Sequence, residues 1–552
     1  MINVSKAGIK VGPSKTKTYK NDSFDVYWNG VIYIPGKPVG LPSIIEFINK
    51  LLNQDIAEIC ALLYGVFFMV VQDKTRNITY AFIDNSGLFK AYFSTTEISD
   101  SFLDLIKRKA IGDISPECIV EFLCFGNLYC NKTFFDDIKK IKDNEIMVLN
   151  SKGVFEVRDK KIGKISDESK CEILSFLKNC CESFRDEQLS VDLTGGADTR
   201  FIAALLSYFG MNFEVAISGT EGNTDIKVAL EVAKLLNRNI YVTQHTIDTL
   251  EQDIEKLFIY NDGLANILTY HRVSQFQNDR LQRGVTLGLS GAGGELFKDS
   301  WWLQDFPFYN SSRIRIERLF ERCIRKTFFP HILLSERLAD LSKGLERKFI
   351  DLLNLYRLNS NTQTYDNIYY HFRAQEAIGR FLTNTNNYFI PFYTPLLELD
   401  LARLSFNLKR RERFNNMFHR NWITFSNLKV ARLKTNHGFT VSSRKADMLA
   451  DFLHYLSDKQ KRLVNKIIPK NPEKIILQDG PDNPQMIGRI RRMQITHELI
   501  GVLKKYGILN TALKIESVSD CHLGSLITLG LLLKRMEIGP SYKGTLYQNK
   551  AL

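Results

Sequence analysis

The chain has 552 residues, 44% hydrophobic and 24% charged, which excludes a disordered or collagen-like protein and exceeds what one ordinary core accommodates. Its 74 Lys and Arg against 61 Asp and Glu leave a formal charge of +13. That charge favours an anionic partner such as ATP, pyrophosphate, an acidic substrate or nucleic acid.

The start, MINVSKAGIKVGPSK, has no apolar core of signal-peptide length, and the late run Leu523 to Leu533 is too short to span a bilayer. A cytoplasmic protein without membrane contact is the expectation. The first 160 residues read as β-rich: DVYWNGVIYI, GVFFMVVQD, NITYAFID and KAYFS are strand-like, and IMVLN with GVFEV forms a hairpin pattern. The charged segment RDKKIGKISDESK then places a domain boundary, dividing the chain into residues 1–160 and 161–552. From Gln188 the pattern alternates strand and helix: LSVDL, DTRFIAALLSYFG, FEVAIS, TDIKVALEVAKLL, NIYVTQH. This predicts a parallel sheet with crossover helices and ligands at the strand C-termini. VTLGLSGAGGELF adds a strand with a glycine-rich tip. Beyond Trp301 the pattern is mainly helical, with breaks at NTNNYFIPFYTP and IIPKNPEK, and Trp301 to Ile390 is expected to shape a substrate pocket.

Nine cysteines show no CxxC pair and no zinc spacing, so reduced, mostly buried thiols are expected. The basic stretches Arg313 to Lys326, Lys409 to Arg413 and Arg489 to Arg492 read as solvated helix faces. No RRM-type, zinc-finger or helix-turn-helix signal accompanies them, so nucleic acid is not the expected partner.

Thr194-Gly195-Gly196-Ala197-Asp198-Thr199 sits where the strand LSVDL ends and a helix begins. Glycines there let backbone approach an anion, and the helix N-terminus offers free N–H groups. Thr194 and Thr199 could donate to phosphate oxygens and Asp198 could hold magnesium. No Lys follows the glycines, so this is not a Walker A loop. Local physics supports an ordinary capped turn equally well.

The stretch resembles the S-G-G-x-D-S pyrophosphatase loop of the asparagine synthetase family, with threonines for both serines, and other segments resemble that family in order. FEVAISGTEGNTDIKVALEVAKLLN is similar to its second strand and adenine-side loop, VTLGLSGAGGELF to LSGEGSDELF, and YFIPFYTPLLELDLARLSFNL to its R-V-P-F-L-D region. ARLKTNHGFTV is similar to its late lysine segment, with two extra residues between Lys434 and Gly438-Phe439. At the N-terminal end, WNGVIY resembles F-N-G-E-I-Y, and the segments from LYGVFF to KAYFS and FFDDIKKIKDNEIMVL resemble the rest of a glutamine-amidotransferase domain. The resemblance spans most of residues 25 to 440.

The family implies an α/β fold: an N-terminal αββα Ntn-hydrolase-like sandwich, here shortened, then a parallel-sheet adenine-nucleotide α-hydrolase-like synthetase domain with a largely helical C-terminal part. It implies an ATP- and Mg2+-dependent ligase that adenylates a carboxylate, releases pyrophosphate and passes the acyl group to an amine or ammonia. The implied ATP and pyrophosphate residues are Thr194, Gly195, Gly196, Asp198, Thr199, Ser218, Gly219 and Gly291. The implied metal ligands are Asp198 and Glu295, and Lys434 is the implied catalytic lysine. The acid would be a small molecule or a peptide, and a homodimer or a partner biosynthetic enzyme fits the family.

Two departures matter. Glutamine-using members carry a nucleophilic cysteine after the initiator methionine, and Ile2 stands there instead, so no glutaminase activity of its own is expected. In this the chain resembles β-lactam synthetase and lasso-peptide cyclases. Ala292 stands where the family places a residue linked to deprotonating the amine, so either another group such as Glu376 or His437 is the base, or the nucleophile needs none, or the second half-reaction is absent. Arg200 is an addition to the motif, suited to phosphate, substrate or a helix-surface salt bridge. A non-catalytic ATP-binding scaffold, or a tRNA- or RNA-modifying pyrophosphatase-loop enzyme, is the rival reading.

Overall fold

The computed structural model describes residues 1–12, 16–150, 153, 155–220, 222–299, 319–320, 323, 325, 328–454 and 484–538. The tryptophan-rich stretch 301–309 and the break at 467–474 lie outside them. The chain is mixed α/β, with two antiparallel sheets, a five-stranded parallel sheet and a helical C-terminal part.

The six-stranded antiparallel sheet runs Phe155–Asp159, Glu145–Leu149, Ile78–Ile83, Tyr64–Asp73, Phe24–Tyr33, Lys17–Lys20. GVFFMVVQD is a continuous apolar run because both faces of this sheet are covered. Phe67, Met69 and Val71 join a core with the helix Leu41–Leu51, while Val66, Phe68 and Val70 face the opposite way. That second face shares its core with Ile2, Val4 and Ile98 of the five-stranded antiparallel sheet. Ile2 is fully buried there, so its side chain is a core residue of the first strand, Ile2–Ser5. The glycines of WNGVIY and LYGVFF have a shared cause. A Cβ on Gly30 would lie 2.1 Å from the Val66 carbonyl oxygen, and one on Gly65 would lie 2.2 Å from that of Val31. Both have positive φ, so each strand closes onto the other only without a side chain.

The parallel sheet has the order Ile240–Gln244, Glu214–Gly219, Leu189–Asp192, Leu287–Leu289, Phe392–Tyr393. The first three strands in sequence run outward in one direction and the last two in the other, so the order reverses beside Leu189–Asp192. The crevice at such a reversal is where open α/β sheets bind ligands. The helix Asp198–Tyr208 is buried from Thr199 to Leu206, held between the sheet and the helix Met417–Ser426 through Phe201 against Phe418. The fifth strand, Phe392–Tyr393, falls in a segment read from sequence only as a break between helices. Two residues flanked by Pro391 and Pro395 are too short to show a periodicity.

The antiparallel sheets end at Asp159 and the parallel sheet begins at Leu189, bracketing the boundary near residue 160. The apolar core nevertheless runs without interruption from one part into the other. None of the nine cysteines is in a disulfide, and each is buried or half-buried. The basic stretch Lys409 to Arg413 departs from a solvated face: Arg413 is buried and its guanidinium grips Asp366 at 2.6 and 2.9 Å. No helix among the described residues is long and apolar enough to cross a membrane.

Candidate functional site

A cavity of about 910 Å³ opens at the C-terminal ends of the parallel strands. Asp192, Ser218, His245 and Ser290 each lie at or just past a strand end and line it. The glycine turn forms its floor through Thr194, Gly196, Asp198 and Thr199.

The turn is held mostly by its own threonines. The Thr199 hydroxyl accepts from the Thr194 backbone N–H at 2.9 Å, the two hydroxyls lie 3.1 Å apart, and Thr194 Oγ1 accepts from the Gly196 N–H at 3.3 Å. Gly195 instead donates its N–H to a carboxylate, Asp225 Oδ1, at 3.1 Å. A Cβ on Gly195 would lie 2.6 Å from that oxygen and 2.9 Å from Asn436 Cβ. The glycine is therefore needed for an anion to reach the turn. Thr199→Val leaves the Thr194 N–H without its acceptor, and a loss of about 1–2 kcal/mol in denaturant-measured stability is expected. An unchanged midpoint would show that the hydroxyl pair does not brace the turn.

Asp198 is flanked by Lys298 and the buried His419. Lys298 Nζ lies 2.6 Å from Oδ1 and 2.7 Å from Oδ2, and His419 Nε2 lies 3.0 Å from Oδ1. Burial alone would raise the Asp198 carboxyl, but Lys298 and His419 outweigh it and hold the group well below the usual carboxylate range. The glycine-rich tip presses on the same residue. A Cβ on Gly291 would lie 2.5 Å from the Thr199 nitrogen, and one on Gly294 would lie 2.4 Å from Asp198 Oδ1.

Asp198 and Glu295 both line the cavity, and each keeps one buried carboxylate oxygen, Oδ1 and Oε2, without a hydrogen-bond partner. Such oxygens are the ligands a hard dication takes, so the pair suits magnesium, with the Lys298 ammonium competing for Asp198. The Tyr369 hydroxyl bonds the Glu295 carboxylate. Among the described residues, no three His, Cys, Asp or Glu are grouped to hold a metal ion.

The remaining expected residues divide. Ser218, Gly291 and Ala292 line the cavity. Gly219 ends its strand, and a Cβ there would lie 3.1 Å from Ile226 Cδ1. Lys434 is exposed and does not line the cavity, but its loop docks on the glycine turn through an Asn436 N–H donated to the Gly195 carbonyl at 3.3 Å. His437, in the same loop, is also exposed.

Glu376 must be corrected. It does not line the cavity; it lies on the π-helix Tyr369–Asn384, buried between Lys140 at 2.5 Å, Arg380 at 3.5 Å and Lys90 at 3.6 Å. Burial would raise its carboxyl, but Lys140, Lys90 and Arg380 together pull it below the ordinary value. A carboxylate so paired is a poor proton acceptor, and its place is as a buried ionic contact with the N-terminal sheets.

Arg200 also departs from expectation. It is fully buried and meets neither solvent nor the cavity lining. Its guanidinium donates to the carbonyls of Leu433 at 2.6 Å, Val430 at 3.3 Å, Gly195 at 3.4 Å and Lys434 at 3.5 Å. Sequence reasoning missed Lys298, His419, and a basic wall of His245, His271 and Arg272 across the cavity. Burial, with Arg272 nearby, pushes His245 down to about 4, so it is neutral at physiological pH. The strand-end position of His245 in NIYVTQH was the one available signal, because residues there face the ligand crevice.

Compared with known proteins, the chain matches no family model and no curated protein.

Proposed function

We propose that the chain is an ATP-dependent, AMP-forming carbon–nitrogen ligase of the kind its resemblance to the asparagine synthetase family implies. The carrying observation is the Gly195 turn. A backbone N–H at the start of an 11-residue helix already binds a carboxylate, in space that any side chain would fill, on the floor of a large cavity. Asp225 is the stand-in for the anion, and its displacement opens the turn to a departing pyrophosphate.

In the first step a carboxylate oxygen of a small-molecule or peptide acid attacks the α-phosphorus of ATP. The bond from that phosphorus to the bridging oxygen breaks, and pyrophosphate leaves onto the turn. An amine or ammonia then attacks the acyl carbon, AMP departs, and the nitrogen loses a proton. Magnesium arriving with the triphosphate would meet Asp198 Oδ1 and Glu295 Oε2, the two buried carboxylate oxygens of the cavity without a hydrogen-bond partner. Ala292, in the cavity lining, offers no proton acceptor there.

ATP–pyrophosphate exchange tests this reading. Incorporation of labelled pyrophosphate into ATP is expected with the correct acid, with AMP as the final nucleotide. Formation of ADP and phosphate would rule the reaction out. The Lys298 ammonium beside Asp198 favours a second reading, a nucleotide-binding scaffold. Calorimetric binding of ATP without magnesium dependence, together with no exchange for any acid, would select it.

A further inference from the structure

The cavity has two electrical poles. Its floor carries Asp192, Asp198, Asp225 and Glu295, carboxylates that suit a magnesium-bearing triphosphate and repel any further anion. The opposite wall carries His245, His271 and Arg272, and Arg272 is the one lysine or arginine among the described residues of the lining. The helix Leu268–Gln282 brings this wall into place. Its far end is anchored at the starts of the strands, where Arg283 pairs with Glu214 at 2.8 Å and Arg280 reaches Ser190 Oγ at 3.0 Å. Its first turns therefore rise past the strand ends. There Thr269, His271 and Arg272 enter the lining, and the positive end of the helix dipole adds to their charge.

An independent sign comes from the strand side. His245 lies one residue past Ile240–Gln244 and lines the cavity, and both its ring nitrogens are buried without a hydrogen-bond partner. Gln275 beside it is spent elsewhere. Its oxygen takes the Thr246 N–H at 3.3 Å, and its amide gives to the Thr246 carbonyl at 2.9 Å and to His271 Nε2 at 3.3 Å. An imidazole always keeps at least one N–H. A buried N–H with no acceptor is costly until a ligand oxygen reaches it, and beside a guanidinium the matching oxygen belongs to an anion.

We propose that this wall binds a second anionic group, a carboxylate or a phosphate, at the far end of the substrate acid, with Arg272 as its charge partner and His245 as a hydrogen-bond donor. The acid then lies across the cavity, its reactive carboxylate at the floor and its anionic end held away from the floor carboxylates. A cavity of about 910 Å³ is at the upper end for a small-molecule site, as two reactants held together require. Arg272 is thus a specificity-determining residue: it selects which acid is adenylated and takes no part in bond breaking. Assigning the bound group to the substrate acid rests on the ligase reading above; the anion site itself does not.

The test is calorimetry of the full-length protein with two probes, inorganic phosphate and succinate. Each is titrated into the free protein and into protein saturated with the magnesium complex of α,β-methylene ATP, which cannot release pyrophosphate. The wild type is expected to bind an anion with the analogue in place, phosphate more tightly for a phosphate-ended acid and succinate for a carboxylate-ended one. Arg272→Met is expected to weaken that binding by about tenfold or more, as the loss of a charge-assisted hydrogen bond implies, with the affinity for the analogue unchanged. Arg272→Lys is expected to recover part of the loss, and His245→Leu to lose less than Arg272→Met. Both positions are only half-buried, and thermal melts check that each variant keeps its fold. Unchanged anion binding in Arg272→Met, or binding of neither anion to the wild type, would overturn the proposal. Lower analogue affinity in Arg272→Met with no second anion bound would give the wall to the triphosphate and overturn it as well. If the analogue itself does not bind the wild type, the ligase reading falls, and the titrations of the free protein still decide the anion site.

Discussion

Replacing Glu398 with glutamine is expected to flatten the fall in stability that the wild type shows between about pH 4.5 and pH 8. Glu398 is 2% exposed, at the seam where the parallel sheet meets the antiparallel sheets. Its Oε2 accepts from the Gly65 N–H at 3.0 Å and from the Tyr393 hydroxyl at 2.9 Å. Tyr393 pairs with Tyr33 at 2.9 Å, and Tyr33 lies 3.2 Å from Cys180 Sγ. Burial pushes the carboxyl up to about 8; the Gly65 and Tyr393 donors oppose the shift, and Asp84 and Asp400 add to it. Among the described residues no cation is paired with it.

The sign follows from proton counts. Below about pH 4.5 both folded and unfolded chains carry the Glu398 proton. Between about 4.5 and 8 the folded chain retains a proton that the unfolded chain has released, so stability falls as pH rises, and above about 8 the loss is complete. The full difference is on the order of 4–5 kcal/mol. Glutamine keeps an acceptor for Gly65 and cannot ionise. Denaturant titrations of both proteins at pH 5 and pH 8.5 measure the effect, since groups common to both cancel. Parallel pH profiles would show that Glu398 ionises in the folded state without penalty.

The parts of this architecture that could be read from sequence are those in which one short segment carries the whole signal. LSVDL, FEVAIS and NIYVTQH are apolar runs bounded by turn residues and helical repeats, and each is a strand of the parallel sheet. The glycines of the turn mark a close approach, and here that approach is from Asp225 and Asn436. What could not be read is the set of partners. Lys298 reaches Asp198 from 100 residues away, and Leu433 reaches Arg200 from 233. No periodicity spans such distances, so neither the lysine beside Asp198 nor the carbonyls around Arg200 could be read. Glu376 misled for the same reason: its acidity was visible, while Lys140 of a short N-terminal strand and Lys90 of the loop before Tyr92–Phe93, which neutralise it, lie far off in sequence.

Arg200→Met is expected to lose about 3–5 kcal/mol of stability and to weaken pyrophosphate binding in whatever protein still folds. Burial lowers the guanidinium to about 10, so it remains charged at physiological pH. Its hydrogen bonds in this site are to main-chain oxygens: Val430 and Leu433 at the end of the helix Leu428–Arg432, Gly195 of the turn, and Lys434 of the docking loop. Carbonyls at a helix C-terminus carry partial negative charge, and the planar fork spans several of them at once. Methionine matches the stem but takes the guanidinium donors from the Val430, Leu433 and Lys434 carbonyls, and leaves the Asn436 N–H as the loop's remaining tie to Gly195. Lysine should rescue little, because one ammonium cannot cover an array built for a fork. Thermal melts of Arg200→Met and Arg200→Lys, each followed by pyrophosphate calorimetry below its transition, separate the two effects. Full stability in Arg200→Met would mean that the turn and the loop hold together through the Asn436 N–H alone. A stable Arg200→Lys with normal affinity would show that charge, rather than the shape of the fork, joins them.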